Sequence, residues 1–335
     1  MGNKAIIWTS DYSNNSGEGI LSRIFIKQLL KHNLKFSKSK KELTIINGSK
    51  KKNTLFHKYL NPFYGVYHLL LNRNKHIAYV NYLPLWNFLI FILLPRKTIL
   101  GPITGGIYNG KVTNLNFFIR KYIFPLFYKF SLFIIYLKFN RVIFSTDILK
   151  VYIKKKYLNN TLFNFILLNI SQKKKRKKRN LIYDLIVYNR DHETKKDSSF
   201  SKLLMELNFK KKICVVGDKP NVIHNNFDFK GYVSRKKLFT LLKKSKFALN
   251  NIENYYSLFA TDAFNNECVV ICDKNNLQKK IINNSQNFLD INIKKITNNY
   301  YNKYIKNITF LNNDYFFLNK VATNNKKIVK FISKY

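Results

Sequence analysis

The chain has 335 residues, with 60 Lys and Arg against 17 Asp and Glu, so its formal net charge is +43 at pH 7. Hydrophobic residues make up 46% of it, which provides for sizeable cores and excludes a wholly disordered chain. The charge favours anionic partners such as nucleic acid, a phospholipid surface or phosphorylated small molecules. Lys, Asn, Ile, Tyr and Phe are abundant together, as expected from drift in an AT-rich coding sequence. Such drift accounts equally well for the excess of basic over acidic residues.

Cysteine and histidine patterns argue against a disulfide framework and a metal site. Cys214, Cys268 and Cys272 lie in or beside apolar runs, which predicts small core residues in a reducing compartment. The histidines have no metal-ligand spacing, so no metal and no cofactor are expected. Residues 1–19 lack the pattern of a signal peptide, and the longest apolar run, 83–95, is shorter than a membrane span. We expect a cytoplasmic protein, soluble or peripheral at the inner membrane face.

Apolar runs alternate with amphipathic segments through the first half, which predicts βαβ units and a parallel sheet. The predicted helices are 20–31 and 147–157. The predicted strands are 5–8, 43–47, 77–80, 97–100 and 141–145.

Glycines follow two of these strands. Gly17, Glu18 and Gly19 come between the first strand and its helix, where backbone N–H groups at a helix amino terminus favour anions. An ordinary turn is the alternative, since Gly-x-Gly alone is a weak signal. The segment 101–106, with Gly105 and Gly106, requires unusual backbone angles or close approach of a partner.

The segment 111–157 contains ten basic residues, a single acid, Asp147, and many interleaved aromatic rings. Such a mixture on helices suits an anionic bilayer surface, where rings enter the interface and Lys heads stay in water. The alternative is a core of aromatics with a solvated basic face. We slightly favour membrane contact.

Seven consecutive basic residues, 173–179, predict a linker, because such a block repels itself and packs poorly. Attraction to a membrane or to phosphate ranks second, and nucleic acid third. The predicted domains are a first αβ domain at 1–170, a linker at 171–180, a second αβ domain at 181–315, and a carboxy-terminal helix at 316–335 that packs back on the first domain.

The second half repeats the αβ pattern. Strands are predicted at 181–188, 213–216, 247–249 and 269–271, with helices at 200–207, after Gly231 and from Ser257 onward. Arg190 and Lys195, five residues apart beyond the first of these strands, form a pair that would suit a diphosphate.

In their order, these motifs resemble the GT-B glycosyltransferases, in particular the retaining family 4, over almost the whole chain. The segments that carry the resemblance are 17–19, 101–106, 188–195, 231–242 and 262–270. The resemblance implies an α/β fold of two Rossmann-like αβ domains facing each other across a cleft. Residues 1–170 would form the acceptor side, and residues 181–315 would bind the nucleotide-sugar. The family spacing of its two acids is Glu-x7-Glu, whereas Glu253 and Asp262 are nine residues apart.

The resemblance also implies roles for particular residues. Arg190 and Lys195 would neutralise the diphosphate and Glu253 would contact the donor sugar, which makes these three the catalytic candidates. Asp262 would bind the ribose diol, while backbone groups of Ser257 and Leu258 would bind phosphate. Gly17, Glu18 and Gly19 would face the same diphosphate, and Asn81, Gly105 and Gly106 would line the acceptor side.

The implied function is transfer of a sugar from a nucleotide-diphosphate-sugar, with retention, to a cell-envelope glycan or lipid-linked acceptor, as in lipopolysaccharide or polysaccharide biosynthesis. Two alternatives stay open. One is a basic nucleic-acid-binding protein, which would bind polynucleotide with a steep salt dependence. The other is a catalytically inactive glycosyltransferase-like binding module.

Overall fold

The chain forms two compact units, Met1–Phe165 with Thr323–Tyr335 as unit 1 and Ile166–Ala322 as unit 2. The predicted helix at 200–207 and residues 173–178 of the basic run lie outside the described residues. The computed structural model describes residues 4–48, 55–107, 114–170, 179–190, 212–220, 225–250, 255–273, 285, 287–291, 303, 305–311 and 314–335.

Unit 1 is built on parallel strands. The order of its main sheet is β2-β1-β3-β4, β5 pairs with β6, and a bridge between Ile103 and Phe144 links the two groups. Every residue of the first strand is buried, as expected for a parallel strand covered on both faces. The strands are β1 (Ala5–Thr9), β2 (Leu43–Asn47), β3 (His76–Asn81), β4 (Ile99–Leu100), β5 (Val142–Ile143) and β6 (Thr161–Leu162).

The helices of unit 1 follow these strands. A π-helical turn, Ile119–Ile123, joins the fifth helix to the sixth, so the two run on as one continuous helical segment. The α-helices are α1 (Gly17–His32), α2 (Leu34–Lys38), α3 (Leu55–Leu71), α4 (Phe88–Leu93), α5 (Leu115–Phe118) and α6 (Phe124–Lys138).

Two helix predictions in unit 1 were wrong in detail. Helix α1 begins at Gly17, because Ser16 caps it and its Oγ accepts a hydrogen bond from Gly19 N at 2.9 Å. The predicted helix at 147–157 is instead two 3-10 helices, Ile148–Tyr152 and Lys155–Asn160. They are separated because the backbone between them is extended, which buries Ile153 and interrupts an α-helical ladder.

Unit 2 contains one parallel sheet of six strands in the order β9-β8-β7-β10-β11-β12. Relative to its first strand this is the 3-2-1-4-5-6 order of a Rossmann sheet. Leu185, Val215, Phe247 and Ile271 form its core. The strands are β7 (Tyr183–Asn189), β8 (Lys212–Gly217), β9 (Phe227–Gly231), β10 (Ser245–Leu249), β11 (Val269–Asp273) and β12 (Phe288–Ile291).

The remaining helices are α7 (Arg235–Lys243), α8 (Leu258–Asn265) and α9 (Tyr315–Ser333). The last contributes to both units, since the boundary falls at Thr323. In unit 1 the amide of Asn33 donates to Ile332 O at 3.1 Å. No helix of the described chain is long and apolar enough to cross a membrane.

The three cysteines are unpaired and buried, which confirms that they are core residues. Burial raises the pKa of the Cys214 and Cys268 thiols to about 12. Thiols with such pKa values are poor nucleophiles near neutral pH. Their part in the protein is therefore packing.

Candidate functional site

In unit 2 the strand order reverses between β7 and β10. Strand β7 lies at the centre, with β8 and β9 on one side and β10 to β12 on the other. Open parallel sheets bind ligands beyond the carboxyl ends of their strands at such a point. Arg190 and Asn250 immediately follow the ends of these two strands. They are the starting point of the candidate site.

The carboxyl ends of β7 and β8 are locked together. Asp218 N donates to Asn189 O, and the amide of Asn189 donates to Asp218 O, both at 3.0 Å. Between them Gly217 has φ +97°, and a Cβ there would overlap the carbonyl oxygen of Asn189. Only glycine fits this conformation and this space. The lock fixes the point from which Arg190 leaves the sheet.

Arg190 is exposed and lies over an aromatic pair. Its guanidinium carbon is 5.7 Å from the centroid of the Tyr188 ring, and that ring stacks on Phe259 with 6.0 Å between centroids. A cation over such a face is held by the ring quadrupole, and the guanidinium edge stays available to an anion. Lys195, its predicted partner, lies outside the described residues.

The turn after β9 adds a second polar pair to this edge of the sheet. The hydroxyl of Tyr232 donates to Asp218 Oδ1 at 2.6 Å, and this hydrogen bond raises the pKa of Tyr232. Gly231, at the end of β9, has φ +63°, and a Cβ there would meet no atom within 4 Å. The ring of Tyr232 is largely exposed, so it borders the same open edge as Arg190.

Helix α8 begins at this edge as predicted. Ser257 caps it: Oγ accepts a hydrogen bond from Ala260 N at 3.0 Å and donates to Asn250 Oδ1 at 2.7 Å. The bond to Asn250 ties the helix start to the end of β10. Leu258 is the first helical residue, so its N–H belongs to the donor groups that an N-terminus leaves for an anion. Glu253 lies outside the described residues.

Asp262 has a structural environment that the sequence does not indicate. Its carboxylate makes a two-point ion pair with Arg235, with Nη2 at 2.6 Å from Oδ1 and Nε at 3.1 Å from Oδ2. The amide of Asn169 donates to Oδ1 at 2.9 Å. The Asp262 side chain is only 4% exposed. Both carboxylate oxygens are therefore already engaged inside the protein.

In unit 1 the loop after β1 is organised by Asp11. Its Oδ1 accepts from Ser13 N at 2.7 Å, and its Oδ2 accepts from the Ser16 hydroxyl. Gly19 packs against this loop so closely that a Cβ would overlap Ser13 O. Gly17 and Glu18 complete the first turn of α1, with Gly17 exposed.

Asn81 supports the same loop. Its amide donates to Asp11 O at 3.2 Å and Glu18 O at 3.1 Å, and its Oδ1 accepts from the hydroxyl of Thr9. Asn81 is buried. The structure therefore gives this residue a positioning task at the carboxyl ends of β1 and β3.

The glycine segment after β4 is shaped by close packing. A Cβ on Gly105 would lie 2.7 Å from Leu149 Cδ1, whereas Gly106 is exposed with open space around it. The hydroxyl of Tyr128 donates to Gly106 O at 2.9 Å. The close approach predicted for Gly105 is thus made by a side chain of the same unit.

Within the described ranges no group of three His, Cys, Asp or Glu side chains is arranged to hold a metal ion. Sequence reasoning missed Arg235 and Asn169 as partners of Asp262, and it missed Tyr188, Asp218 and Tyr232 at the open edge. The sequence does mark the position of Arg235, because it directly follows Ser234, a residue type that caps helices, and so begins α7.

No protein-family model and no curated protein matches the sequence. Solved structures do match. HepE from Anabaena, in complex with UDP-glucose, is 10% identical with a TM-score of 0.57, over 99% of this chain and 100% of that chain. WaaG, a glycosyltransferase involved in lipopolysaccharide biosynthesis, is 11% identical with a TM-score of 0.56, over 98% and 99% of the two chains.

The chain has the GT-B fold. The predicted fold class is therefore confirmed. The UDP-GlcNAc 2-epimerase of Methanocaldococcus jannaschii, in complex with UDP-GlcNAc and UDP, also matches, at 12% identity and a TM-score of 0.50 over 98% and 99% of the two chains. At such identities the likeness shows the fold, and the function has to be argued from the site.

Proposed function

We propose that the protein is a glycosyltransferase that uses a nucleotide-diphosphate-sugar donor. The observation that carries this proposal is the open edge of unit 2. There a Rossmann strand order, the exposed Arg190 over the Tyr188 ring and the capped start of α8 converge on the carboxyl ends of β7 and β10. This combination suits a nucleotide diphosphate. The HepE and WaaG structures have the same fold.

The reaction breaks the bond between the anomeric carbon and the diphosphate oxygen, and the electron pair leaves with the nucleoside diphosphate. The anomeric carbon bonds to an acceptor hydroxyl oxygen, and the proton of that hydroxyl passes to the released nucleoside diphosphate or to water. Arg190 and Lys195 stabilise the negative charge that develops on the leaving diphosphate. Backbone N–H groups at Ser257 and Leu258 bind phosphate, and Glu253 contacts the donor sugar. Retention of configuration is part of the proposal, and NMR of the product's anomeric proton tests it.

Asp262 has a different role in this proposal from the ribose contact that the family resemblance implies. With both oxygens bonded to Arg235 and Asn169, the carboxylate is a buried counterion that holds α8 in place. Because Ser257 and Leu258 lie at the start of α8, Asp262 acts on the donor through them. We assign it as a positioning residue.

The acceptor side of the proposal is a lipid-linked or envelope glycan at an anionic membrane surface. One face of the continuous segment α5–α6 is apolar and between 45% and 72% exposed, at the three- and four-residue spacing of a helix. The sequence contains no acid between Glu42 and Asp147. The face consists of Leu115, Phe118, Tyr122, Leu126, Phe130, Phe133 and Leu137.

A contiguous row of apolar side chains of this length at the protein surface indicates a binding face. Arg120, Lys121 and Lys129 lie beside it on the same segment, so the surface combines apolar insertion with attraction to anionic headgroups. We call residues 115–137 of this face the apolar stripe. It supports the membrane placement of the acceptor in the proposal.

Thermal unfolding with UDP-, GDP- and ADP-glucose, each titrated against the protein, tests donor binding. We expect one of them to raise Tm in a saturable way, while generic RNA at equal phosphate concentration does not. Stabilisation by RNA alone would overturn the proposal in favour of nucleic-acid binding. A donor that binds and is never turned over with any glycan acceptor would identify an inactive module.

Sugar-nucleotide epimerisation is a second candidate, because the Methanocaldococcus epimerase has a comparable fold. The two reactions differ in their products. Transfer releases the nucleoside diphosphate, whereas epimerisation converts one nucleotide-sugar into another and leaves their total amount unchanged. Chromatography of the nucleotide pool after incubation with donor and acceptor separates them.

A further inference from the structure

Unit 1 contains a cavity of about 520 Å³ that no part of the proposed reaction uses. The chain segments that line it enter the sheet: 73–76 lead into β3, 96–98 into β4 and 140–141 into β5. The cavity therefore lies at the amino ends of these parallel strands. The opposite edge holds the carboxyl ends of the strands, with Asn81 as the last residue of β3 and with Gly105 and the loop after β1 beyond the ends of β4 and β1.

The lining of this cavity is strongly basic. None of the described side chains that line it is acidic, and His76 adds an imidazole. We call this cavity the basic cavity. Its cationic side chains are Lys35, Arg73, Lys75, Arg96, Lys97 and Arg141.

Two of these cations, Lys75 and Arg141, contact neutral groups, and Lys35 contacts the terminal main-chain oxygen of Tyr335. Lys75 Nζ donates to Asn72 Oδ1 at 2.7 Å, Lys35 Nζ donates to Tyr335 O at 3.3 Å, and the Arg141 guanidinium lies 5.9 Å from the Phe331 ring centroid. No Asp or Glu side chain is among the described residues that line the basic cavity, so the mutual repulsion of its six cations is not offset by a side-chain carboxylate of the lining.

A buried polar atom points to the same place. Thr98 lines the cavity and is 4% exposed, and its hydroxyl has no hydrogen-bond partner in the described structure. Buried hydroxyls are normally hydrogen-bonded, and one that is not commonly marks a site completed by a water, an ion or a ligand.

We propose that the basic cavity binds an anion that carries two or more phosphate groups. Arg presents a planar fork that matches phosphate oxygens, and Lys provides additional point charge. The volume is in the range of small-ligand pockets and excludes a nucleic-acid duplex. A free polyphosphate and a phosphorylated lipid headgroup offer the same chemistry. The site lies apart from the donor site, so this inference stands whether or not the proposed transfer reaction is correct.

Isothermal titration calorimetry with sodium tripolyphosphate, at 150 mM NaCl to suppress non-specific attraction, tests the proposal. We expect saturable binding to the native protein. The Arg96→Gln/Arg141→Gln variant should bind at least tenfold more weakly. The Arg73→Gln/Lys97→Gln variant should also bind at least tenfold more weakly. Because both of its side chains are exposed, it tests the proposal even if the first variant does not fold.

The matched control removes the same charge elsewhere. Lys236→Gln/Lys243→Gln changes two exposed residues of α7 in unit 2, and its affinity should stay within twofold of the native value. Equal weakening in all three variants would show that only the net charge matters and would overturn the proposal. If the native protein shows no saturable binding of tripolyphosphate, the proposal is overturned as well, unless both cavity variants lose binding to lipid vesicles and the control does not.

Co-sedimentation with cardiolipin vesicles, whose headgroup carries two phosphates, distinguishes the two sources of phosphate. If both cavity variants lose vesicle binding and the control does not, the ligand is a headgroup. If only tripolyphosphate binding is lost, the ligand is soluble. If neither measurement separates the cavity variants from the control, the cavity is not an anion site.

Discussion

The guanidinium of Arg235 and the carboxylate of Asp262 form a two-point ion pair, with Nη2 2.6 Å from Oδ1 and Nε 3.1 Å from Oδ2. The Asp262 side chain is 4% exposed and that of Arg235 is 25% exposed. Removing one partner of such a pair leaves an uncompensated charge, which costs more than the pair itself contributes. Because this pair engages both carboxylate oxygens, we interpret Asp262 as a buried counterion within unit 2 and not as a ligand of the donor ribose.

Asp262→Asn should lower the free energy of unfolding by about 2 to 3 kcal/mol, the reduced end of the range for buried pairs because Arg235 is partly exposed. Urea denaturation measures this. Glu42→Gln makes the same chemical change at an exposed position and should stay within about 0.5 kcal/mol of the native protein. If the variant keeps its stability but loses nucleotide affinity, the result would favour the alternative that Asp262 contacts the donor ribose directly.

Arg190→Ala should weaken binding of the nucleoside diphosphate by roughly ten- to a hundredfold, since a hydrogen bond to a charged group contributes about 1.5 to 3 kcal/mol. Calorimetric titration with the stabilising nucleotide gives the dissociation constant. Lys236→Ala removes the same charge from an exposed position of α7 and serves as the control. Equal affinities for native protein, variant and control would remove Arg190 from the site.

Gly217→Ala and Gly231→Ala form a matched pair at the ends of adjacent strands, both with positive φ. At Gly217 the added Cβ would overlap Asn189 O, so we expect a loss of about 2 to 4 kcal/mol in unfolding free energy. At Gly231 there is open space, so only the backbone strain of about 1 kcal/mol remains. Similar losses in both variants would mean that the lock between β7 and β8 has no role of its own.

Leu126→Glu and Phe133→Glu should each reduce binding to phosphatidylglycerol vesicles at least tenfold, because each replaces an inserting apolar group by a charge that anionic lipid repels. Co-sedimentation with phosphatidylglycerol and with phosphatidylcholine vesicles measures it. Val151→Glu, at a residue that is at least as exposed and lies away from the apolar stripe, is the control. Retained binding in both stripe variants would exclude the stripe as the membrane face.

The sequence by itself determined the αβ architecture. Parallel strands covered on both faces need continuous apolar runs, so 5–8, 77–80, 213–216 and 269–271 were recognisable without any partner strand. Ser257 was recognised as the start of α8 because an N-cap hydrogen bond is local. The GT-B prediction came from the resemblance of the ordered motifs to that family, and the carboxy-terminal segments 188–195, 231–242 and 262–270 contributed most to it.

Tertiary structure alone decided which polar groups meet. Arg235 and Asn169 lie 27 and 93 positions from Asp262, and no local pattern encodes a contact across such a distance. The apolar stripe also needed the structure, since apolar residues occur on every side of α6 and only packing shows which side is exposed. The basic cavity joins segments from α2 and from the starts of β3, β4 and β5. Their charges converge only because parallel strands bring their amino ends to one edge.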